Sequence, residues 1–304
     1  MVFQGFDDSD DHGDFDFKIE VEQSYLVTDE QFAFLADRIK RLAGINLEYG
    51  PKNISLVSSR MNKLVLRKKV PSLDACIKGL RRKDERITRE FVSIMTTNTT
   101  SLFREKAHFD WLQKNLEQLI EQKKKRGERE LRVWCAAAST GEEVYSTIIT
   151  LLEGGLDTSG VILRFLATDI DLVVLNNASL GIYHEDGFKG VAHEIRDTYF
   201  RPYHDPKKTG DRFYKVKKEY RDMVRFAPFN LMDDPYPFQY PFDIIFCRNV
   251  LIYFEYAVSE NIIRKCLSQL KNGGLLFLGH SESGFAKKVE SMEPIIHSLY
   301  RKKG

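Results

Sequence analysis

Apolar residues recur along the first third of the chain at the three-and-four spacing of a helix. Phe32, Leu35, Ile39 and Leu42 follow a Thr28–Gln31 capping box, and Gly44 supplies a stop. A second helix starts near Pro51 and Asn53 and turns Val57, Met61, Leu64 and Val65 inward. Arg60, Lys63 and Arg67 share another of its faces, and Lys68 and Lys69 extend the positive charge. More helix runs from Ser72 to about Ile94. With no strand pattern among them, residues 25–95 are predicted to form a small all-helical domain.

From Leu131 the texture changes. Leu131–Ala138, Leu163–Thr168, Phe242–Cys247 and Leu275–Gly279 are short apolar runs that read as buried strands. Helical stretches lie between them, at Glu142–Glu153, Asp171–Leu180 and Tyr256–Leu270. Such alternation predicts an α/β domain with a parallel sheet covered on both faces, here over residues 96–304. Residues 183–225 break the pattern. The turn signal Lys207-Lys208-Thr209-Gly210-Asp211 and a strand at Phe213–Val216 point to a small inserted hairpin subdomain. Residues 1–24, with Asp7, Asp8, Asp10, Asp11, Asp14 and Asp16, read as a disordered acidic tail.

Composition narrows the function classes. Hydrophobic residues make up 42% and charged residues 30%, as in a folded core-forming protein. A net charge of +2 over 304 residues gives no footprint for nucleic acid, so no nucleic-acid partner is expected. Cys76, Cys135, Cys247 and Cys266 form no C-x-x-C pair and read as reduced thiols of a cytoplasmic protein. The seven histidines show no metal-binding spacing, and no metal site is indicated. There is no signal-peptide pattern, and no apolar run approaches the ~20 residues that span a bilayer, so membrane insertion is not expected.

In an open parallel sheet, ligands bind beyond the carboxyl ends of the strands. The first strand ends in Ala136-Ala137-Ala138-Ser139-Thr140-Gly141-Glu142-Glu143. Small residues there permit close approach of a ligand, but two glutamates open the next helix where a phosphate would otherwise sit. Carboxylates at that place suit a cation; taken alone they are read more simply as complements of the helix dipole. Asp169 stands at the end of the second strand, where nucleotide folds hold ribose hydroxyls, and Asp171 reads as the N-cap of the following helix. Asn230 is placed to meet an adenine edge. Arg248 and Asn249 directly follow an apolar strand, which is costly unless they are used or solvated. Upstream, Thr96 to Ser101 followed by Phe103-Arg104 is either part of the site or a capped helix start.

Together these segments resemble the CheR family of chemotaxis receptor glutamate methyltransferases. The residues that carry the resemblance are TTNTTSLFRE (96–105), RVWCAAASTGEE (132–143), ATDID (167–171), Asn230-Leu231, FDIIFCRNVLIYF (242–254) and GGLLFLGHSES (273–283). The resemblance implies an all-helical N-terminal domain followed by a Rossmann-like class I methyltransferase domain with a small β-subdomain. It implies S-adenosyl-L-methionine as cofactor and S-adenosyl-L-homocysteine as product. The cofactor contacts carried over are Asn98, Thr100, Arg104, Glu143, Asp169, Asn230, Leu231, Arg248 and Asn249. Tyr253 matches the active-site tyrosine, with Arg104 as its catalytic companion. Arg60, Lys63 and Arg67 match the basic face that meets the acidic receptor; without the resemblance, that face reads as ordinary solvation. The implied partner is the cytoplasmic domain of a methyl-accepting chemotaxis receptor, met by a monomer. The acidic tail lies outside the family pattern, and Pro202–Gly210 does not match the glycine-rich loop of members that dock a receptor's C-terminal peptide.

A glutamate side chain is already an anion near neutral pH, so methyl transfer to it needs no general base. Alignment and desolvation are what the protein must supply. Three rivals are weaker. An amino-methylating DNA enzyme would carry its Asp-Pro-Pro-Tyr motif after the strand, whereas Asp234-Pro235-Tyr236-Pro237-Phe238 precedes Phe242–Cys247. A dinucleotide dehydrogenase would need the absent glycine fingerprint. A catalytically weak binding scaffold would not need Arg104, Asp169, Asn249 and Tyr253 together.

Overall fold

The computed structural model describes residues 26–67, 69–204, 210–287 and 289–304. The acidic tail, Lys68 and the first part of the Lys207–Asp211 turn signal lie outside them. Helix α1 (Asp29–Ala43) begins as its sequence dictates: Gln31 N donates to Thr28 Oγ1 at 3.2 Å, and Thr28 N donates to Gln31 Oε1 at 3.0 Å. It ends at Gly44, where φ is +72° and an added Cβ would lie 2.5 Å from the Phe254 ring. Both the left-handed backbone and the close packing therefore require glycine there. Helix α2 (Pro51–Leu66) buries Val57, Met61 and Leu64, with Val65 half-buried beside them. The helix expected over Ser72–Ile94 comes as two elements, α3 (Leu73–Arg81) and α4 (Glu85–Met95), separated by Lys83 at φ +58° and capped by Ser72 and Asp84. The four helices share one apolar cluster running from Val27 to Met95.

Helix α5 (Ala107–Lys125), absent from the sequence reading, follows the Thr96–Ser101 stretch. Its residues Leu112, Leu116 and Ile120 pack onto the α/β unit. Strand β1 (Glu130–Cys135) stops three residues short of the expected Ala138, and the alanines form the turn into α6 (Glu142–Glu153). Then come β2 (Ile162–Asp169) and α7 (Leu172–Leu180). The insertion is a three-stranded antiparallel sheet rather than a lone hairpin. It is built from β3 (Ile182–His184), β4 (Phe200–Tyr203) and β5 (Phe213–Val216), with short helices α8 (His193–Tyr199) and α9 (Lys218–Arg221). The chain then rejoins the main sheet as β6 (Val224–Pro228), so the last residues assigned to the insertion belong to that sheet. It continues through β7 (Phe242–Cys247), α10 (Tyr256–Ser268), β8 (Leu270–Leu278), α11 (Ser283–Ala286), β9 (Met292–Ile296) and β10 (Leu299–Lys302).

The main sheet has the order β6-β2-β1-β7-β8-β10-β9. Its first five strands are parallel, and beyond them β10 alone is reversed, pairing antiparallel with β8 on one side and with the edge strand β9 on the other. Alternate residues of β1 serve the two faces: Val133 and Cys135 join the core under α5 and α6, while Trp134, and Ala136 just past the strand, join the core under α10. Strand order reverses at β1, between β2 and β7. Their carboxyl ends therefore splay apart at a topological switch point, and a crevice opens above them.

Candidate functional site

The crevice is open at its mouth and spans about 860 Å³ when the adjoining solvent is counted in. Asn98, Thr100, Arg104, Glu143, Asp169, Asn230, Leu231, Arg248, Asn249 and Tyr253 all line it. These ten residues span more than 150 positions of sequence; seven lie at or beyond the ends of β1, β2, β6 and β7, and Asn98, Thr100 and Arg104 come from the segment between α4 and α5. Arg60, Lys63 and Arg67 do not line it. They lie on α2, where Lys63 and Arg67 are exposed.

The helical unit roofs the crevice with Ala43 and Ile45. Three contacts fix the roof over the loops after β6 and β7: Asn46 N donates to Tyr253 O at 3.1 Å, Asn230 Nδ2 to Leu42 O at 2.8 Å, and Lys40 Nζ to Glu255 at 2.6 Å. Asn230 Oδ1 also accepts from Met232 N at 3.0 Å. The residue expected at an adenine edge is thus also the pin between the two units, with one amide hydrogen left to face the crevice.

Asp171 caps α7 as expected, accepting from Val173 N at 2.9 Å. Its other oxygen accepts from Ser93 Oγ at 3.0 Å, Thr96 Oγ1 at 3.2 Å and Asn98 Nδ2 at 3.0 Å. A single carboxylate thereby ties the end of α4 and the Thr96–Thr100 segment to the sheet. That segment is not a capped helix start; helix resumes only at Ala107. Arg60 braces it from α2, donating to Met95 O and, at 2.7 Å, to Thr97 Oγ1. The Arg60 guanidinium is therefore committed to the wall.

Asp169 is 9% exposed, and its two oxygens accept backbone hydrogen bonds from Asp171 N at 3.0 Å and Ser139 N at 2.8 Å. Burial outweighs these bonds and raises its pKa to about 6. Glu143 and Arg248, separate cofactor contacts in the sequence reading, are one buried ion pair: Arg248 Nη1 donates to Glu143 Oε2 at 2.6 Å. Arg248 Nη2 donates to Arg104 O at 2.6 Å and Glu105 Oε2 at 2.9 Å. Burial lifts the Glu143 carboxyl, an effect Arg248 only partly offsets. Burial also works against the charge of Glu105, but hydrogen bonds from Arg248 and His280 N outweigh it and hold that carboxyl below its usual range. Two carboxylates around one guanidinium leave net negative charge beside the crevice, which suits a cationic ligand.

Two positioning residues escaped the sequence reading although both lie inside quoted segments. Glu105 joins Arg248 to the loop, accepting from Asn249 Nδ2 at 3.3 Å and His280 N at 3.1 Å. Glu282 is fully buried and takes three backbone N–H groups, from Gly279 at 2.5 Å, Asn249 at 2.9 Å and Leu251 at 2.7 Å. It holds the turn in which Asn249 adopts φ +57° and from which Tyr253 is presented. Glu105, His108 and His280 also bring three ligand atoms within 4.8 Å of one another. Arg248 already occupies the Glu105 oxygen they share, so a metal ion there would face a guanidinium.

The crevice fits S-adenosylmethionine on these grounds. Asp169 offers carboxylate oxygens for ribose hydroxyls, while Ile170, Phe229 and Leu231 supply an apolar wall. The acidic start of α6 refuses a phosphate. Arg104, held by its donation to Thr99 O at 2.9 Å, lines the site alongside Arg248, whose guanidinium is taken up by Glu143 and Glu105.

Comparison with known proteins agrees. Residues 98–297 match the family model described as CheR methyltransferase, SAM binding domain. A chemotaxis protein methyltransferase of Borreliella burgdorferi is 35% identical over 280 residues, 91% of this chain and 95% of that protein. One from Salmonella typhimurium is 34% identical over 269 residues, covering 87% of this chain and 88% of its own. One from Escherichia coli is 40% identical over 193 residues, 64% of this chain and 63% of its own.

Proposed function

The chain belongs to the CheR methyltransferase family, and from that footing we propose how its residues carry out S-adenosylmethionine-dependent methylation of glutamate side chains on chemotaxis receptors. The observation that carries the reading is the meeting of Asn98, Thr100, Arg104, Glu143, Asp169, Asn230, Leu231, Arg248, Asn249 and Tyr253 in one crevice. When bound, the cofactor supplies an electrophilic methyl group on a sulfonium.

The chain's own residues do the rest. Asp169 receives the ribose hydroxyls, and Asn230 and Leu231 border the base. Arg104 pairs with a carboxylate. The Glu143–Arg248–Glu105 group provides net negative charge for a cation while holding the loops in place. Tyr253 donates its hydroxyl to the incoming glutamate and sets its line of approach, since among the described residues that hydroxyl donates no hydrogen bond. The roof of Ala43 and Ile45 excludes water, which raises the reactivity of a carboxylate that needs no deprotonation.

Residues 25–95 form the helical domain and 96–304 the catalytic domain in this reading. The α2 face meets the acidic receptor through Lys63 and Arg67. Arg60, on the same side of the helix, also braces the crevice wall through Met95 and Thr97. No described helix is long and apolar enough to cross a membrane. The test is base-labile release of labelled methanol from receptor-containing membranes incubated with the protein and methyl-labelled cofactor. Cofactor binding without methanol release would instead leave a signalling scaffold.

A further inference from the structure

The near-neutral charge of this chain conceals two opposed parts. Residues 1–24 hold six aspartates and two glutamates against Lys18, seven net negative charges, so the remaining residues carry nine net positive ones. A polypeptide that bears such a tail next to a basic face holds a candidate ligand for itself.

That face is on α2. Lys52, Lys63 and Arg67 are exposed, share one side of the helix with Arg60, and make no salt bridge among the described residues. Lys69 is excluded, because it pairs with Glu90 at 3.2 Å. The tail leaves the body beside the same helix. Val27 N donates to Ser58 Oγ at 2.9 Å, near the middle of α2, and Leu26 before it is exposed. Ten residues separate position 26 from Asp16. Extended, they reach about 33 Å at ~3.3 Å per residue. The 16 residues of α2 span only about 24 Å at 1.5 Å each. Asp7–Asp16 can therefore meet any point of the basic stripe, at the high effective concentration that a short tether confers.

We propose that the acidic N-terminal segment, Asp7 to Asp16, docks in cis on the Lys52/Lys63/Arg67 face of α2 and competes there with the acidic protein substrate. The competition rests on reading α2 as the receptor-facing helix; the docking itself does not. The contact is electrostatic and largely solvent-exposed, so it weakens with salt as the screening length shrinks. An occluded face lowers apparent affinity for the receptor in proportion to the time it is covered and leaves the chemical step alone.

The experiment uses the full chain. Zero-length carbodiimide coupling in dilute protein, read by mass spectrometry, is expected to join Lys52 or Lys63 to Asp7–Asp16 at low salt and not at about 0.5 M salt. A full-length variant with all six aspartates changed to asparagine is expected to show no link, and a receptor KM about fivefold lower at unchanged kcat, as when the face is free one-fifth of the time. Absence of the link in the parent chain overturns the docking, and an unchanged KM in the asparagine variant overturns the competition. Lys63→Glu with Arg67→Glu separates the two readings. Loss of the link with a normal receptor KM removes α2 from receptor binding while supporting the docking. A raised KM with an undiminished link overturns the docking and leaves the receptor role of α2 in place.

Discussion

Arg248 and Glu143, 105 residues apart in sequence, meet at 2.6 Å inside the protein, with the guanidinium head wholly shielded from solvent. Glu105 closes the group from the other side at 2.9 Å. Removing the arginine leaves two buried carboxylates facing one another. Arg248→Met is expected to lower unfolding stability by about 3–5 kcal/mol. Adding Glu143→Gln should restore part of that loss, because one uncompensated charge disappears. Urea unfolding of the single and double variants checks this, and additive losses would show that the two residues do not act as a pair.

Tyr253 and Arg104 should separate in their kinetics. Tyr253→Phe removes one hydrogen bond that acts on the nucleophile, so kcat is expected to fall about tenfold while calorimetric cofactor affinity holds. Arg104→Ala is expected to weaken cofactor binding and to lower kcat by about 100-fold through lost alignment. Normal turnover in either variant would strike that residue from the mechanism.

Asp169 makes cofactor binding pH-dependent. Burial raises its folded pKa to about 6, above the ordinary 3.8. Its protonated form therefore favours folding below about pH 4, and that contribution fades as pH rises through 6. Ribose hydroxyls donate to the ionised form, so bound cofactor pulls the proton off. Affinity is expected to be about tenfold weaker at pH 5 than at pH 7, the ionised fraction at pH 5 being roughly one in eleven. Calorimetry near pH 6 in two buffers of different ionisation enthalpy should report proton release. Asp169→Asn should flatten the profile.

Glu282 tests whether a turn can set a site. Its carboxylate accepts backbone N–H groups from Gly279, Asn249 and Leu251 and meets the crevice lining through the backbone of Asn249 and Val250. Glu282→Ala leaves those donors unpaired and is expected to lower cofactor affinity at least tenfold, at about 1–3 kcal/mol per orphaned group if none rearranges. Partial recovery in Glu282→Gln, which keeps one acceptor oxygen, distinguishes positioning from loss of bulk. Equal loss in both variants would count against it.

Asp171 is the corresponding tie at the other wall. Asp171→Ala removes a helix cap and three side-chain bonds to the Thr96–Thr100 region and α4. A stability loss of about 3 kcal/mol is expected, since a cap contributes about 1 and bonds to a charged group add the rest without full additivity. Thermal unfolding measures it, and a loss under 1 kcal/mol would show that Asp171 is only a cap.

Periodicity alone determined most of the fold. The capping box at Thr28, the stop at Gly44 and the strand Phe242–Cys247 follow from local rules, and the structure keeps them. Helix α5 carries its own periodic signal in Phe109, Leu112, Leu116 and Ile120, yet its polar face hid it. Strands β6, β9 and β10 are four or five residues long and have no pattern of their own; pairing with neighbours makes them strands. The site residues were legible because motifs cluster where strands end. Their partners were not. Nothing in sequence order says that Arg248 meets Glu143, that Glu282 caps the turn of Asn249, or that Arg60 braces Thr97. Local chemistry fixes which backbone state each segment takes. Long-range burial decides which charges must find one another, because only a group removed from water is compelled to have a partner.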